Sequence, residues 1–244
     1  MARLLSDRQA ALAIALSTVV GVALTSALGV WQLNRAAQKV ALQQTLDARG
    51  SLPELPAASL ALTAADAAAQ HFRRVRLRGQ WLPSATLFLD NRQMNGKPGF
   101  FVVTPFRLEG SADAVLVQRG WAPRDFTDRS HLPDVPTPAG SVELVGHIAP
   151  PPARLYEFAG SASGPIRQNL QLDSYSREAG VPLKPLSVMQ DGAAADSLLR
   201  EWPRPAVDVH KHYGYAFQWF ALCALMAGLY VWFQLIRPRL RGRA

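Results

Sequence analysis

Charged side chains are missing from two stretches of the chain, residues 10–33 and 213–236, each 24 residues long. An α-helix needs roughly 20 apolar residues to cross a hydrocarbon core of about 30 Å, so both stretches predict transmembrane helices. Tyr213, Tyr215 and Trp219 mark the start of the second, and Tyr230, Trp232 and Phe233 mark its end. Amphipathic rings settle at membrane interfaces in this way. The first stretch runs into Trp31-Gln32-Leu33-Asn34-Arg35, a poor signal-peptidase site, which predicts an uncleaved anchor. Within it Ser17, Gly21, Thr25 and Gly29 recur every fourth residue, a ridge of small side chains on which another helix can pack closely. Ala221, Ala224 and Gly228 offer a matching surface on the second stretch, so the two spans are expected to pair.

Between the spans the pattern changes. Val40, Leu42 and Leu46 fall among polar residues with no breaker before Gly50, so the first helix is expected to continue over 36–50. Residues 51–70 hold Pro53, Pro56 and many alanines, which predicts an extended linker and then a short helix capped by Thr63. Val75 and Leu77 alternate with Arg74, Arg76 and Arg78, the period of a strand with one wet face. Further strands are predicted over 86–89, 100–104, 115–117, 142–148 and 186–189, with a short helix over 172–179. Asn95-Gly96-Lys97-Pro98-Gly99 reads as a turn, Pro105 must bend or end its strand, and Pro150 to Pro152 and Ser161-Ala162-Ser163-Gly164 read as loops. The fold class that follows is a membrane protein with two transmembrane helices flanking a mainly antiparallel β (α+β) domain, built as a sheet or small barrel.

Mean hydropathy near zero and 49% apolar residues would by themselves describe an ordinary soluble protein. The average conceals the segregation of apolar residues at the two ends. Charge is segregated too. The tails, with Arg3, Arg8, Arg237, Arg239, Arg241 and Arg243 against Asp7, hold +5 of the net +8. The high pI therefore argues for cytoplasmic tails and an outer middle domain, not for nucleic acid. The single cysteine, Cys223, lies within the second span, so an intramolecular disulfide or a CxxC site is excluded and a packing thiol is expected. No GxSxG, HExxH, P-loop or GxGxxG motif occurs, and no catalytic set is recognisable.

Histidine carries the candidate chemistry. His71, His131 and His147 are scattered, whereas His210 and His212 stand together where the second span begins. With the helix starting near Asp208 as N-cap, His212, Ala216, Trp219, Cys223 and Met226 form one stripe. A small Ala216 beside the imidazole leaves room for a flat macrocycle, Trp219 can stack on it, and histidine is a common axial ligand of haem iron. The competing reading makes His212 a polar interfacial contact that ends the span. The arginines at 73, 74, 76 and 78 can bind an anion such as a haem propionate or simply wet one face of a strand. Asp90-Asn91-Arg92 and Arg119-Gly120-Trp121 place polar groups beside strand ends, where turn roles compete with functional ones.

Several of these segments together resemble the Surf1/Shy1 family of cytochrome c oxidase assembly proteins. Leu28-Gly29-Val30-Trp31-Gln32-Leu33-Asn34-Arg35 is similar to the family's LGxWQLxR, and His212-Tyr213-Gly214-Tyr215-Ala216-Phe217-Gln218-Trp219-Phe220 to its HxxYAxxWF. Between them come Arg74-Val75-Arg76-Leu77-Arg78-Gly79-Gln80-Trp81, Asp90-Asn91-Arg92, Gly99-Phe100-Phe101-Val102-Val103-Thr104-Pro105 and Val115-Leu116-Val117-Gln118-Arg119-Gly120-Trp121. Gln118 stands where the family usually has Asn, an exchange of amides expected to preserve the turn.

The resemblance implies a non-enzymatic assembly factor that assists insertion of haem a into subunit I of cytochrome c oxidase. The family's proposed iron ligand falls on His212, with Trp219 as its stacking neighbour, and a haem A synthase is the implied supplier. A pure scaffold, stabilising early subunit I without holding haem, is the alternative, and a membrane-anchored periplasmic enzyme is a third class. The expected layout is a cytoplasmic tail at 1–9, a first transmembrane helix at 10–33, a periplasmic β-rich domain at 34–212, a second transmembrane helix at 213–236 and a basic cytoplasmic tail at 237–244. Without an Arg- and Ser-rich leader, a bacterial inner membrane is expected, with the lipid bilayer as a partner and no nucleic acid.

Overall fold

The first apolar stretch folds as part of one long helix, α1 (Asp7–Gly50), and the alanines, leucines and glutamines beyond residue 35 continue it with no proline to stop it. The structure is a computed structural model that describes residues 7–125, 127–128, 132–156, 164–192, 196–202 and 209–241. Asp208, His131, Arg3, Arg243 and the Ser161-Ala162-Ser163 part of the expected loop lie outside the described residues. The chain divides into two compact units, one of residues 1–45 with 205–244 and the other of residues 46–204.

Along the chain, the middle unit contains β1 (Leu55–Pro56), α2 (Ala64–Gln70), β2 (Arg74–Trp81), β3 (Leu87–Met94), β4 (Lys97–Leu108), β5 (Ala114–Pro123), β6 (Val142–Ala149), β7 (Ile166–Arg167), α3 (Leu172–Ala179) and β8 (Leu183–Gln190). The chain then enters α4 (Val209–Tyr230), which continues through a π-helical turn at Val231–Ile236 to Arg237–Arg241. The helices Arg8–Gly50 and Val209–Arg241 are long enough, and each contains a stretch apolar enough, to cross a membrane. Leu12, Leu16, Val19, Phe217 and Leu225 project outward from them, as lipid-facing side chains do.

In the helical unit α1 and α4 pack antiparallel. A Cβ on Gly21 would lie 3.0 Å from Met226 Sδ, and one on Gly29 would lie 2.7 Å from the Phe220 ring. The small-residue ridge of α1 is therefore what admits the large side chains of α4. The expected partner surface on α4 is corrected: Ala221, Ala224 and Gly228 are exposed, and the stripe through His212, Ala216, Cys223 and Met226 faces α1 instead. Cys223 Sγ lies 3.2 Å from Ser26 Oγ, a packing contact between the helices.

In the other unit, β2, β6, β8, β5 and β4 are paired in that order and β4 returns to β2, which closes a five-stranded barrel. The β2–β6, β6–β8, β4–β5 and β2–β4 pairings are antiparallel and β5–β8 is parallel. β3 and the short β7 extend the sheet beyond β4, and β1 runs parallel to β2. Val75, Leu77, Phe106, Val115, Val117, Leu144, Leu186 and Val188 fill the interior. Burying such side chains contributes roughly 1.5–3 kcal/mol each. Closure needs Gly79, where an added Cβ would sit 2.0 Å from the Arg107 carbonyl oxygen on β4.

Local chemistry sets the remaining joints. Thr63 caps α2 by accepting from the Asp66 N–H. Asn95 and Gly96, with φ of 51° and 74°, form the tight turn between β3 and β4, so β4 begins at Lys97 inside the segment expected to be loop. Pro105 does not end β4. It sits between Val103, the last residue paired with β3 on this stretch, and Phe106, paired with β2, where a missing N–H costs no ladder bond. The short β1 and β7, two residues each, carry no periodicity that a sequence could show.

Candidate functional site

Two sequence segments meet in the helical unit. His212 lies in the first turn of α4, and its Nδ1 is 2.7 Å from Gln32 Oε1 on α1. An amide oxygen only accepts, so Nδ1 carries the proton and donates, which leaves the Nε2 lone pair available. Nε2 has no partner among the described residues. The contacts of Gly29 with Phe220 and of Gln32 with His212 bind the end of one apolar stretch to the start of the other. Arg35 stays on α1, with its guanidinium 5.7 Å from the Trp31 ring centroid and a hydrogen bond to Gln38.

Trp219 is half-buried two turns along α4 from His212, and His210 is exposed. Ala216 is only 2% exposed, so the room expected beside it for a macrocycle is closed by helix packing. What His212 still offers a ligand is the Nε2 lone pair. Gln32 was missed from the sequence as a site residue, although a polar amide near the end of a long apolar run was a signal to look for a partner.

The other sequence candidates separate in the structure. Glu54 pairs with Arg74 and Arg76, Glu143 with Arg76 and Glu109 with Arg78, so the β2 arginines form an ion-paired outer face of the strand. Arg73 donates to the Pro53 carbonyl. His147 lies 3.0 Å from Asp191, away from any group of three potential metal ligands among the described residues. Asp90-Asn91-Arg92 and Arg119-Gly120-Trp121 turn out to be strand bulges in place of turns. Asn91 has φ of 59° where β3 shifts register against β4, and Arg119 is the extra residue where β5 shifts against β4. They meet through the Trp121 indole N–H, which donates to the Arg92 carbonyl. Asp90 pairs with Arg124, and burial pulls the Arg92 guanidinium below the usual arginine pKa.

Residues 19–224 match the family model described as the SURF1 family. A SURF1-like protein of Rickettsia conorii is 27% identical over 84% of this chain and 84% of its own length. A SURF1-like protein of Drosophila melanogaster is 27% identical over 89% of this chain and 76% of its own. The cytochrome oxidase assembly protein SHY1 of Saccharomyces cerevisiae is 30% identical over 38% of this chain and 24% of its own. The matched span reaches from within the first apolar helix, across the barrel, into the second apolar helix, and includes both partners of the Gln32–His212 contact; the chain belongs to the SURF1 family.

Proposed function

We propose that this protein is a membrane-anchored assembly factor for cytochrome c oxidase that holds haem a transiently and passes it to subunit I. Family membership and the name of the yeast relative support the assembly role. The observation that carries the haem reading is the 2.7 Å contact between His212 Nδ1 and Gln32. Metal-ligating histidines donate their second ring nitrogen to a fixed acceptor, which sets the tautomer and the ring orientation. His212 fits that requirement for a single axial ligand through Nε2, and haem a is cargo here. Gln32 orients the ring, and Trp219 supplies an aromatic neighbour on the same helix face. The basic tails favour cytoplasmic termini and a periplasmic barrel, and the Rickettsia relative supports a bacterial inner membrane.

A scaffold without haem is the second reading, and the burial of Ala216 favours it because the helix face beside His212 offers no slot for a macrocycle. Coexpression with a haem A synthase, purification and absorbance spectroscopy separate the two. Under the haem reading the wild-type protein carries haem a. His212→Ala then loses it or shifts its spectrum while inserting normally, and His210→Ala is milder. Unchanged haem with an unchanged spectrum in the His212 variant would eliminate the ligand assignment, and a haem-free wild type would favour the scaffold.

A further inference from the structure

The barrel interior is apolar along most of its length and becomes polar at one end. On β5, Val115 and Val117 lead to Arg119, and on β8, Leu186 and Val188 lead to Gln190. Arg119 and Gln190, with Trp81 at the end of β2 and Val142 and Leu144 at the start of β6, line a cavity of about 420 Å³ at the mouth of the barrel. That volume lies within the range of roughly 300–1,000 Å³ typical of small-ligand sites, and barrel mouths are common places for them.

The cavity holds unmatched polar groups. Arg119 is 1% exposed, stands at the β5 bulge and holds its guanidinium over the Trp81 ring, 4.7 Å from the centroid. It donates to Thr137 Oγ1 at 2.7 Å, to the Pro136 carbonyl at 2.8 Å and to Asp196 at 3.3 Å, but its Nε is buried with no partner among the described residues. Arg200 donates to the same Asp196 carboxylate at 2.6 and 2.8 Å, so two guanidinium groups share it. Glu143, the other carboxylate at the cavity, is engaged at the rim by Arg76. Gln190 also lines the cavity, and its Oε1 is buried and lacks a partner among the described residues. A buried donor or acceptor left unmade is costly, and such groups are satisfied in most folded proteins.

An electropositive donor, an orphan acceptor and an apolar wall together define a ligand with an anionic oxygen, an N–H nearby and an apolar group. The last residue of a polypeptide has all three. We propose that the barrel mouth captures the C-terminal residue of a polypeptide, with its carboxylate against Arg119, its amide N–H donating to Gln190 Oε1 and its apolar side chain between Trp81 and Leu144. This site is independent of His212 and of the haem reading.

The test uses the full-length protein in detergent and a short fluorescein-labelled peptide ending in leucine. The peptide is supplied as the free acid, as the C-terminal amide and as the free acid with its last amide N-methylated. Fluorescence anisotropy should show saturable binding of the free acid and about tenfold or greater weakening for each of the other two. Gln190→Met should weaken the free acid severalfold and abolish the difference that N-methylation makes. Val142→Trp, which adds bulk to the cavity wall, should weaken binding of the free acid about tenfold or more, and free-acid affinity equal to wild type would count against this mouth as the site. Equal affinity for acid and amide, or no saturable binding, would overturn the proposal. Displacement by hexanoate at the concentration at which unlabelled peptide displaces would overturn the polypeptide assignment.

Discussion

Replacing Gln32 by Leu tests the arrangement at His212 without touching the imidazole. The substitution keeps the apolar character of the span and removes the only acceptor that the described residues give Nδ1, 2.7 Å away. A partly buried N–H left without an acceptor costs about 1–3 kcal/mol, which the pairing of α1 with α4 must absorb. The ring also loses the contact that fixes its tautomer and direction. Loss of such an outer partner typically weakens metal binding by about 10–100-fold, or roughly 1.4–2.8 kcal/mol. The assay is the haem a content of the purified protein at limiting haem supply, with an absorbance titration in detergent. Gln32→Leu should retain far less haem than wild type, and Gln32→Glu, which restores an acceptor, should recover most of it. Equal haem titration curves for wild type and Gln32→Leu would refute the claim that this contact prepares His212 as a ligand.

Gly29→Val should weaken pairing of the two spans, because its Cβ meets three atoms of the Phe220 ring at 2.7–2.9 Å. Adding Phe220→Ala should restore pairing, as read by crosslinking between cysteines placed on α1 and α4. Gly79→Ala should destabilise the barrel by about 4 kcal/mol or more, since the obstacle at 2.0 Å is a backbone oxygen that cannot swing aside. Thermal unfolding by near-ultraviolet circular dichroism checks this, and an unchanged midpoint would contradict the closed barrel. The His71 pKa is lowered from 6.5, first by burial and then by Arg49, so the unfolded chain binds the proton more readily than the folded one. The stability linked to His71 is therefore complete above about pH 6.5 and is lost as pH falls through the lower folded value. Denaturant midpoints should fall on acidification across that window, and His71→Gln should flatten the dependence there.

Features that depend on local spacing could be read directly along the chain. Two uncharged runs fixed the long helices, because a membrane demands length and apolarity and both are countable. Alternation around Val75 and Leu77 located β2, and Thr63 and residues 172–179 announced their helices through local chemistry. Which of these pieces touch depends on contacts between distant parts of the chain. Closure of β4 onto β2 rests on three residue pairs 25 to 29 positions apart in the chain and on the absence of a side chain at Gly79. The face of α4 that meets α1 was misread because small residues lie on more than one side of that helix, and Met226 and Phe220 select one side by fitting Gly21 and Gly29. His212 was visible as a polar residue at the edge of an apolar run. Its partner Gln32 stands 180 positions away, and no periodicity within either segment encodes a hydrogen bond between them. The gathering of Arg119 and Gln190 at the barrel mouth has the same origin, since strand order and one bulge bring them together and neither leaves a trace in the local sequence.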